Sequence, residues 1–481
     1  MALGCAVVLD VGKTSAKLTL WSPEGRLLDR RSRANQTRSG QGYAALDVEG
    51  IADWLADTLR SLARQGDIAA IIPVAHGAAA CVLDGKGGCV PPVDYEAEPP
   101  AAIRDTYIKL RDPFAVTGSP CLPAGLNLGA QLYWLDAIMP EEKGQILTWP
   151  QYWAWLLSGV AATEITSLGT HTDLWCPATA SPSPLAKARG WAQRLAPLRP
   201  ASEILGPVTE DWRRRCDLPA NCAVLCGIHD SNAALLAARL YPEVRGSEFT
   251  VLSTGTWFVA MRSLPPGAAA DTTELAEARD CLVNVDAAGA PVPSSRFMGG
   301  REAELIEAPS GEPIELAVHN DALLARTAKL VEQGVLALPS FQPGVGPFPH
   351  ATGRWSRRPD DQLDRRAAAS LYLALMADAS LDLIGSSERL IVEGRFAEDI
   401  VFTRTLAALR PQQTVYVSAM ADNIPLGALH LFNPGIRPDT ALRRVEALAI
   451  ELNGYARQWR EATHNEPAMR SARAANKRGK A

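Results

Sequence analysis

The sequence predicts an α/β protein made of two similar domains that face one another. Three observations lead there. The chain has 481 residues, more than one ordinary core organises, so two domains are the natural expectation. Apolar runs of strand character alternate with stretches of helical spacing, the pattern of a sheet with packed helices. A strand–loop–strand pattern near the start, Ala6 to Trp21, returns at Gly246 to Met261, about one domain-length later. Composition fits this class: 47% hydrophobic and 21% charged residues is an ordinary globular balance. The net charge of −5 gives no basic domain for nucleic acid. No apolar run is long enough to cross a bilayer, and Asp10 ends the apolar Leu3–Leu9 stretch too soon for a signal peptide.

The elements follow in order. Ala6–Asp10 is a strand ending in a carboxylate, Val11–Lys17 is a turn of small and basic residues, and Leu18–Trp21 resumes as strand. Ser22-Pro23-Glu24-Gly25 is a turn signal before a third strand, Arg26–Arg31. Asp47–Gln65 carries Ile51, Trp54, Leu55, Leu59 and Leu62 at helical spacing. Ile68–Val74 is a strand running into Ala75-His76-Gly77-Ala78, with a short strand ending at Asp84. Helices are expected from Leu126, over Trp149–Leu157 and from Trp191, the last followed by a loop to Pro207. In the second half, Phe249–Ser253 and Trp257–Met261 are strands around Thr254-Gly255-Thr256. Arg366–Ile384 is a long helix and Leu390–Val392 a strand entering Glu393-Gly394-Arg395-Phe396. A helix over Asp399–Leu409, a strand at Val415–Ser418 and a helix at Ile424–Leu431 complete the half. The tail, residues 466–481, is polar, basic and read as disordered.

The stretch that organises the chain is Cys222 to Ala234. An apolar run meets Gly227, Asp230 follows, and Ser231–Leu240 has helical composition. Asp230 therefore stands where a strand ends and a helix starts, the place where an α/β protein exposes chemistry to a crevice. The alternative is that Asp230 is only a helix N-cap. The nine cysteines are odd in number and scattered; Cys5, Cys81, Cys222 and Cys226 lie in apolar surroundings, as reduced thiols of a cytoplasmic protein do. Cys216, Cys222, Cys226 and His229 match no usual zinc spacing.

Gly12-Lys13-Thr14 resembles part of a Walker loop, but Val7 stands where its first glycine belongs and strand, not helix, follows. A hairpin reaches the same end differently. Gly12 lets backbone N–H groups turn inward, Thr14 and Ser15 add hydroxyls, and Lys13 and Lys17 add charge. Asp10 is placed to hold a divalent ion through water, since magnesium keeps most of its hydration shell. An ordinary hairpin with solvated lysines is the competing reading. His76 is either a satisfied strand-end histidine or a ligand contact, and His229 either orients Asp230 or donates to a substrate oxygen. His171 and Asp173 are two metal-ligand types without a third. Asn127 is a helix cap or a ligand contact. Trp149, Trp153 and Trp155 share a helix with Leu156 and Leu157 and are read as core.

With these residues in place, the chain resembles the FGGY carbohydrate kinases, the group containing xylulokinase, rhamnulokinase, fuculokinase and glycerol kinase. Residues 5 to 460 are covered. Asp10 to Thr14 with Lys17 is similar to the family's first phosphate motif, and Ser253 to Thr256 to its second. His76-Gly77-Ala78 with Leu83-Asp84, and Leu126-Asn127 through Trp134-Leu135, resemble its substrate segments. Thr163-Glu164, Gly169-Thr170 and Asp173 resemble a further signature, and Gly227 to Asp230 falls where the family keeps its catalytic aspartate.

The resemblance implies an actin-like, ribonuclease-H-like ATPase fold of two domains with a central cleft. The N-terminal domain would span 1–240 and the C-terminal, nucleotide-binding domain 241–465. It implies ATP and Mg2+ as cofactors, with Asp230 as general base toward a hydroxyl of a small ketose of the fuculose, rhamnulose or xylulose kind. Substrate contacts would come from His76, Gly77, Asn127 and His229. ATP contacts would come from Gly12, Lys13, Thr14, Lys17, Thr254, Gly255, Thr256, Glu393, Gly394 and Arg395, and metal contacts from Asp10 and Asp230. No nucleic-acid or membrane partner is implied, and a homodimer is compatible.

There are departures. Glu393-Gly394-Arg395-Phe396-Ala397 keeps one glycine of the expected adenosine motif. Glu393 or Arg395 would then reach the ribose and Phe396 would pack near the base. That segment is also the support for a second reading, a non-catalytic sugar- or nucleotide-binding relative. Trp257 stands where a small residue is expected. The arginine–glutamate pair of glycerol kinase has no counterpart after Ala75; His76 and Gly77 stand there, favouring a ketose.

Overall fold

The computed structural model describes residues 4–40, 42–307, 320–418 and 423–464. The tail at 466–481, expected to be disordered, lies outside the described residues. Two mixed seven-stranded sheets form the frame, the first from residues 5–229 and the second from residues 249–444.

The first sheet grows from the predicted hairpin. Cys5–Val11 pairs antiparallel with Ser15–Trp21, and Ser15–Trp21 with Leu27–Ala34. On its other side Cys5–Val11 runs parallel to Ile68–Ala75, which runs parallel to Ala223–Leu225 and then to Ile228–His229. The second sheet repeats this order. Phe249–Thr254 pairs antiparallel with Phe258–Ser263, and that strand with Pro291–Phe297. Phe249–Thr254 then runs parallel to Arg389–Gly394, which runs parallel to Thr414–Val417. Counting only the five strands just named in each half, Ala223–Leu225 and Ile228–His229 together as one, both sheets contain the order 3-2-1-4-5. The echoed hairpin was therefore the visible part of a five-stranded repeat.

Two parts of the pattern depart from expectation. The loop before Pro207 is the edge strand Ile204–Pro207, antiparallel to Ala223–Leu225. The strands Cys281–Val285 and Pro291–Phe297 are additional to those read in the sequence, and the prolines of the second count against a central strand because they lack the N–H it needs. Pro291 and Pro293 escape that penalty, since pairing with Phe258–Ser263 stops at Ser294 and leaves them in a single ladder.

Each sheet has an outer helical layer. Val48–Ala63 lays Ile51, Leu55, Leu59 and Leu62 on the first sheet, together with Trp149, Trp153 and Leu157 from Trp149–Ser158. These tryptophans are core, as expected. Gln362–Leu383 and Ile400–Leu409 cover the second sheet, packing around Phe258, Phe297, Phe396 and Phe402. Between the sheets lie the two helices that follow the fifth strands, Asp230–Ala238 and Ile424–Phe432. Leu235 and Ala238 of the former pack on Phe249, Val251 and Ile391 of the second sheet. Leu426 and Leu429 of the latter pack on Val8, Ile72 and Val74 of the first. Ile424–Phe432 thus covers the sheet of the opposite half, and Asp230–Ala238 lies between the two, with Ala233 and Ala237 in the first sheet's cluster and Leu235 and Ala238 in the second's. They cross closely: a Cβ on Gly427 would lie 1.9 Å from the carbonyl oxygen of Ala233.

Polar ties bridge the halves as well. Val283 N–H donates to the carbonyl of Gly118 at 2.9 Å. Arg239 reaches Asp286 at 2.6 Å. Arg111 bonds buried Asp173 at 3.0 Å and crosses to Glu277 at 3.3 Å. No helix among the described residues is long and apolar enough to cross a membrane.

Candidate active site

Three neighbouring strand ends of the first sheet meet at one edge. Val74 lies in register with Asp10 on one side and with Ile228 on the other, so Asp10, His76 and Asp230 close adjacent strands. At about 4.8 Å per strand, the backbones at Asp10 and Ile228 stand about 10 Å apart, and Asp230 lies two residues further along the edge.

Gly227 makes the turn into this edge at φ 84°, where a Cβ would meet the carbonyl oxygen of Pro73 at 2.3 Å. Gln151, buried in the outer helix, donates to the carbonyls of Cys226 and Gly227 at 3.1 and 3.2 Å. Asp230 then starts its helix without capping it, the cap position being His229. Its Oδ1 accepts from Ser231 N at 2.5 Å and Ser231 Oγ at 3.2 Å, and lies 3.2 Å from His229 Nε2. No donor among the described residues reaches Oδ2, and the side chain is 25% exposed. One carboxylate oxygen is fixed and the other is open.

His229 is held on every side. Its Nδ1 faces the Asn232 amide nitrogen at 3.2 Å; the amide donates, so the ring proton sits on Nε2 toward the carboxylate. Its backbone N–H donates to Thr166 Oγ, and that hydroxyl donates to Glu164 at 2.6 Å. Glu164 is fully buried, and burial pushes its carboxyl up to about 7.

His76 Nδ1 accepts from the backbone N–H of Ala78 at 3.2 Å, which leaves the proton on Nε2. That buried nitrogen has no partner among the described residues. Burial lowers the ring pKa to about 4, so the ring is neutral. Tyr95 meets it edge-on at 5.5 Å, and Trp149 lies 6.1 Å away.

The turns expected to meet phosphate are built with their glycines spent. Gly12 N–H closes the first turn onto Ser15 O, and Gly255 N–H closes the second onto Trp257 O, each at 3.0 Å. Inward donors must therefore come from neighbours such as Thr14 and Thr256, not from the glycines. Lys17 reaches Asp10 at 3.5 Å. Lys13 is paired with buried Asp94 and lies 4.9 Å over the Tyr95 ring, tying the first turn to the segment beside His76. Thr254 is a brace: its hydroxyl donates to Glu393 O at 2.6 Å and accepts from Phe396 N at 3.0 Å. Ser253 and Asn423 both donate to the Glu393 carboxylate. Gly394 follows on the exposed rim, and Arg395 lies 5.3 Å over Phe396. Phe396 itself corrects the expectation: it is fully buried among Phe258 and Phe402 and presents no face to a base.

Asn127 is also spent internally. It is 2% exposed, and its amide donates to Ser119 Oγ, Pro120 O and His171 O while its oxygen accepts from Leu122 N. Asp94, Tyr95 and Gln151 are site residues the sequence did not offer. Asp94 and Tyr95 lie in an aperiodic loop, and Gln151 was masked by the aromatic helix around it.

Comparison with known proteins gives a consistent picture. The family model "Carbohydrate kinase FGGY, C-terminal domain" matches residues 246–439. A carbohydrate kinase from Novosphingobium aromaticivorans is 46% identical with a TM-score of 0.90, over 95% of this chain and all of that one. A xylulose kinase from Lactobacillus acidophilus shares the fold at a TM-score of 0.76 and 14% identity, over 98% of each chain. Two rhamnulokinases are similar over shorter stretches. That of Ligilactobacillus salivarius is 23% identical over 258 residues, and that of Bacillus subtilis 32% over 129. The chain spans 52% of the first relative's length and 26% of the second's.

Proposed function

The chain belongs to the FGGY carbohydrate kinases, and on that premise we propose that it transfers the γ-phosphoryl group of ATP to a hydroxyl of a small ketose, with Asp230 as general base. The observation that carries this reading is the division of labour within one carboxylate. Three donors fix Oδ1, while Oδ2 stays open at the end of a strand. The sugar hydroxyl would approach Oδ2. As its oxygen attacks the γ-phosphorus, the proton passes to the carboxylate, the bond from phosphorus to the bridging oxygen breaks, and its electron pair leaves with ADP. Such transfer depends on in-line positioning and charge neutralisation more than on covalent help.

The strand end fits a hydrated divalent ion. Asp10 is largely buried beside Lys17, and two strand spacings, about 10 Å, plus the two-residue offset leave room for water and a phosphoryl group between Asp10 and Asp230. Magnesium bound there would neutralise phosphate charge. Asp10 would hold its water shell, since magnesium keeps most of its water. Thr14 and Thr256, on turns from opposite halves, would face the phosphates, and the rim at Gly394 and Arg395 would meet the nucleoside. His76 and His229 border the acceptor. Approach of the halves would exclude water, which competes as acceptor. The reading places the protein in the cytoplasm, where ATP is supplied and free thiols stay reduced.

The test is a coupled ADP-release screen across pentuloses, hexuloses and polyols, including L-fuculose, L-rhamnulose and xylulose. Sugar-dependent ADP release with at least one ketose is expected. ATP hydrolysis indifferent to every acceptor would refute the reading.

A further inference from the structure

We infer that His171 is a specificity-determining residue for the acceptor sugar, its Nε2 accepting a hydrogen bond from one sugar hydroxyl. The inference rests on the proposed placement of the acceptor beside Asp230.

The position comes from packing around Gly77. A Cβ built there would lie 2.6 Å from Thr170 Cγ2 and 3.1 Å from His229 Nε2. Gly77, Thr170 and His229 therefore meet at one point, and His171 is the next residue along. The proton inventory comes from its partner. His171 Nδ1 lies 2.8 Å from the carbonyl oxygen of Leu126. A carbonyl only accepts, so Nδ1 carries the proton and Nε2 a lone pair. No donor among the described residues reaches Nε2. Burial, with the charge of Arg296 from the second sheet and the nearby His229 ring, lowers the pKa to about 3 and keeps the ring neutral. Arg296 itself is engaged, with Asp280 at 3.1 Å and the Trp257 ring at 4.8 Å.

The ring is anchored twice. Leu126 O holds Nδ1, and the neighbouring Asn127 amide holds the His171 carbonyl at 3.1 Å. Asn127 thereby acts on the acceptor pocket as a positioning residue rather than by contact. The pocket then makes opposite demands. His76 offers an N–H, which needs a sugar oxygen with a lone pair. His171 offers a lone pair, which needs a hydroxyl hydrogen. A neutral polyhydroxylated sugar meets both, whereas a deoxy analogue at the second position leaves His171 unanswered. Unmaking one such bond changes affinity by about 10–100-fold.

Two substitutions separate contact from scaffold. In His171→Asn the side-chain amide stands near the Nδ1 position, so it retains a donor toward Leu126 and loses the acceptor at Nε2. In His171→Gln the amide oxygen reaches the Nε2 position. Calorimetric titration of the full chain with each ketose of the screen, without nucleotide, finds the tightest-binding sugar and reads binding independently of turnover. We expect His171→Asn to weaken sugar binding about 10–100-fold, His171→Gln to recover part of it, and the KM for ATP to stay within about twofold. A deoxy analogue lacking the contacting hydroxyl should bind wild type and His171→Asn alike. Sugar binding unchanged in His171→Asn overturns the inference while leaving the kinase reading intact. Binding that responds as expected in a chain that phosphorylates no sugar overturns the kinase reading and keeps the contact. A wild-type chain that binds no ketose overturns both.

Discussion

Asp230→Asn changes one atom of the side chain, and the surrounding donors dictate how the amide must sit. Ser231 N, Ser231 Oγ and His229 Nε2 all point at Oδ1. The amide oxygen satisfies all three, so the NH2 group takes the Oδ2 position. Hydrogens then stand where the substrate proton has to arrive. General-base assistance of this kind is worth about 10²–10⁴-fold, or about 3–5 kcal/mol of barrier. Folding should hardly change, because the contacts survive and the group is partly solvated; a surface-type change of about 0.5 kcal/mol is expected. Coupled ADP release measures the loss of kcat, and calorimetric titration of the sugar checks that affinity stays within about threefold. Turnover within about fivefold of wild type would refute the general-base role. A fall in sugar affinity matching the whole fall in kcat/KM would show that the carboxylate binds rather than catalyses.

Other outcomes follow from the same geometry. Arg111→Ala strands the buried Asp173 carboxylate and cuts the tie to Glu277, so denaturant unfolding should show a loss of about 3–5 kcal/mol, largely recovered in Arg111→Met combined with Asp173→Asn. Gly427→Ala drives a methyl into the Ala233 carbonyl and must part the two central helices; thermal unfolding should report a cost of about 1–3 kcal/mol or more. Stability should also fall with acid. His76 and His171 titrate near 4 and 3 in the fold against 6.5 when free, so the unfolded chain binds more protons below about pH 6.5 and their contribution drains away toward pH 4. Glu164, raised from 4.5 to about 7, opposes them: its buried neutral form favours the fold below pH 4.5, and that help is lost as pH rises to 7. Melting curves at pH 7 and pH 5 should show a net drop that is smaller in His76→Gln combined with His171→Gln; no change in that difference would discount the histidines.

The strands of both hairpins were legible because apolar alternation and turn residues are local signals. So was the location of Asp230, at the junction of an apolar run and a small-residue helix. What escaped depended on distant partners. Thr254, Glu393 and Asn127 carry polar groups that suit a ligand as well as they suit a neighbour, and only packing shows them bonded to one another or to backbone. Phe396 escaped because an aromatic two residues after a glycine reads alike at a ligand rim and in a core. Asp94 and Tyr95 approach Lys13 and His76 across a long chain separation that no spacing rule spans. In the sequence His171 reads as an incomplete metal ligand, whereas its partner, a backbone carbonyl, leaves no mark there.

The sharing of central helices between the sheets bears on how the molecule is made. A first half released alone would lack Leu426 and Leu429 over Val8, Ile72 and Val74, and would leave Leu235 and Ala238 facing solvent. Neither half is then a self-sufficient folding unit, despite the matching topology. During synthesis the nascent first sheet must wait, much of one apolar face uncovered, until residue 432 has cleared the ribosome. Fragments divided at the loop between the halves should accordingly be insoluble apart and assemble when produced together.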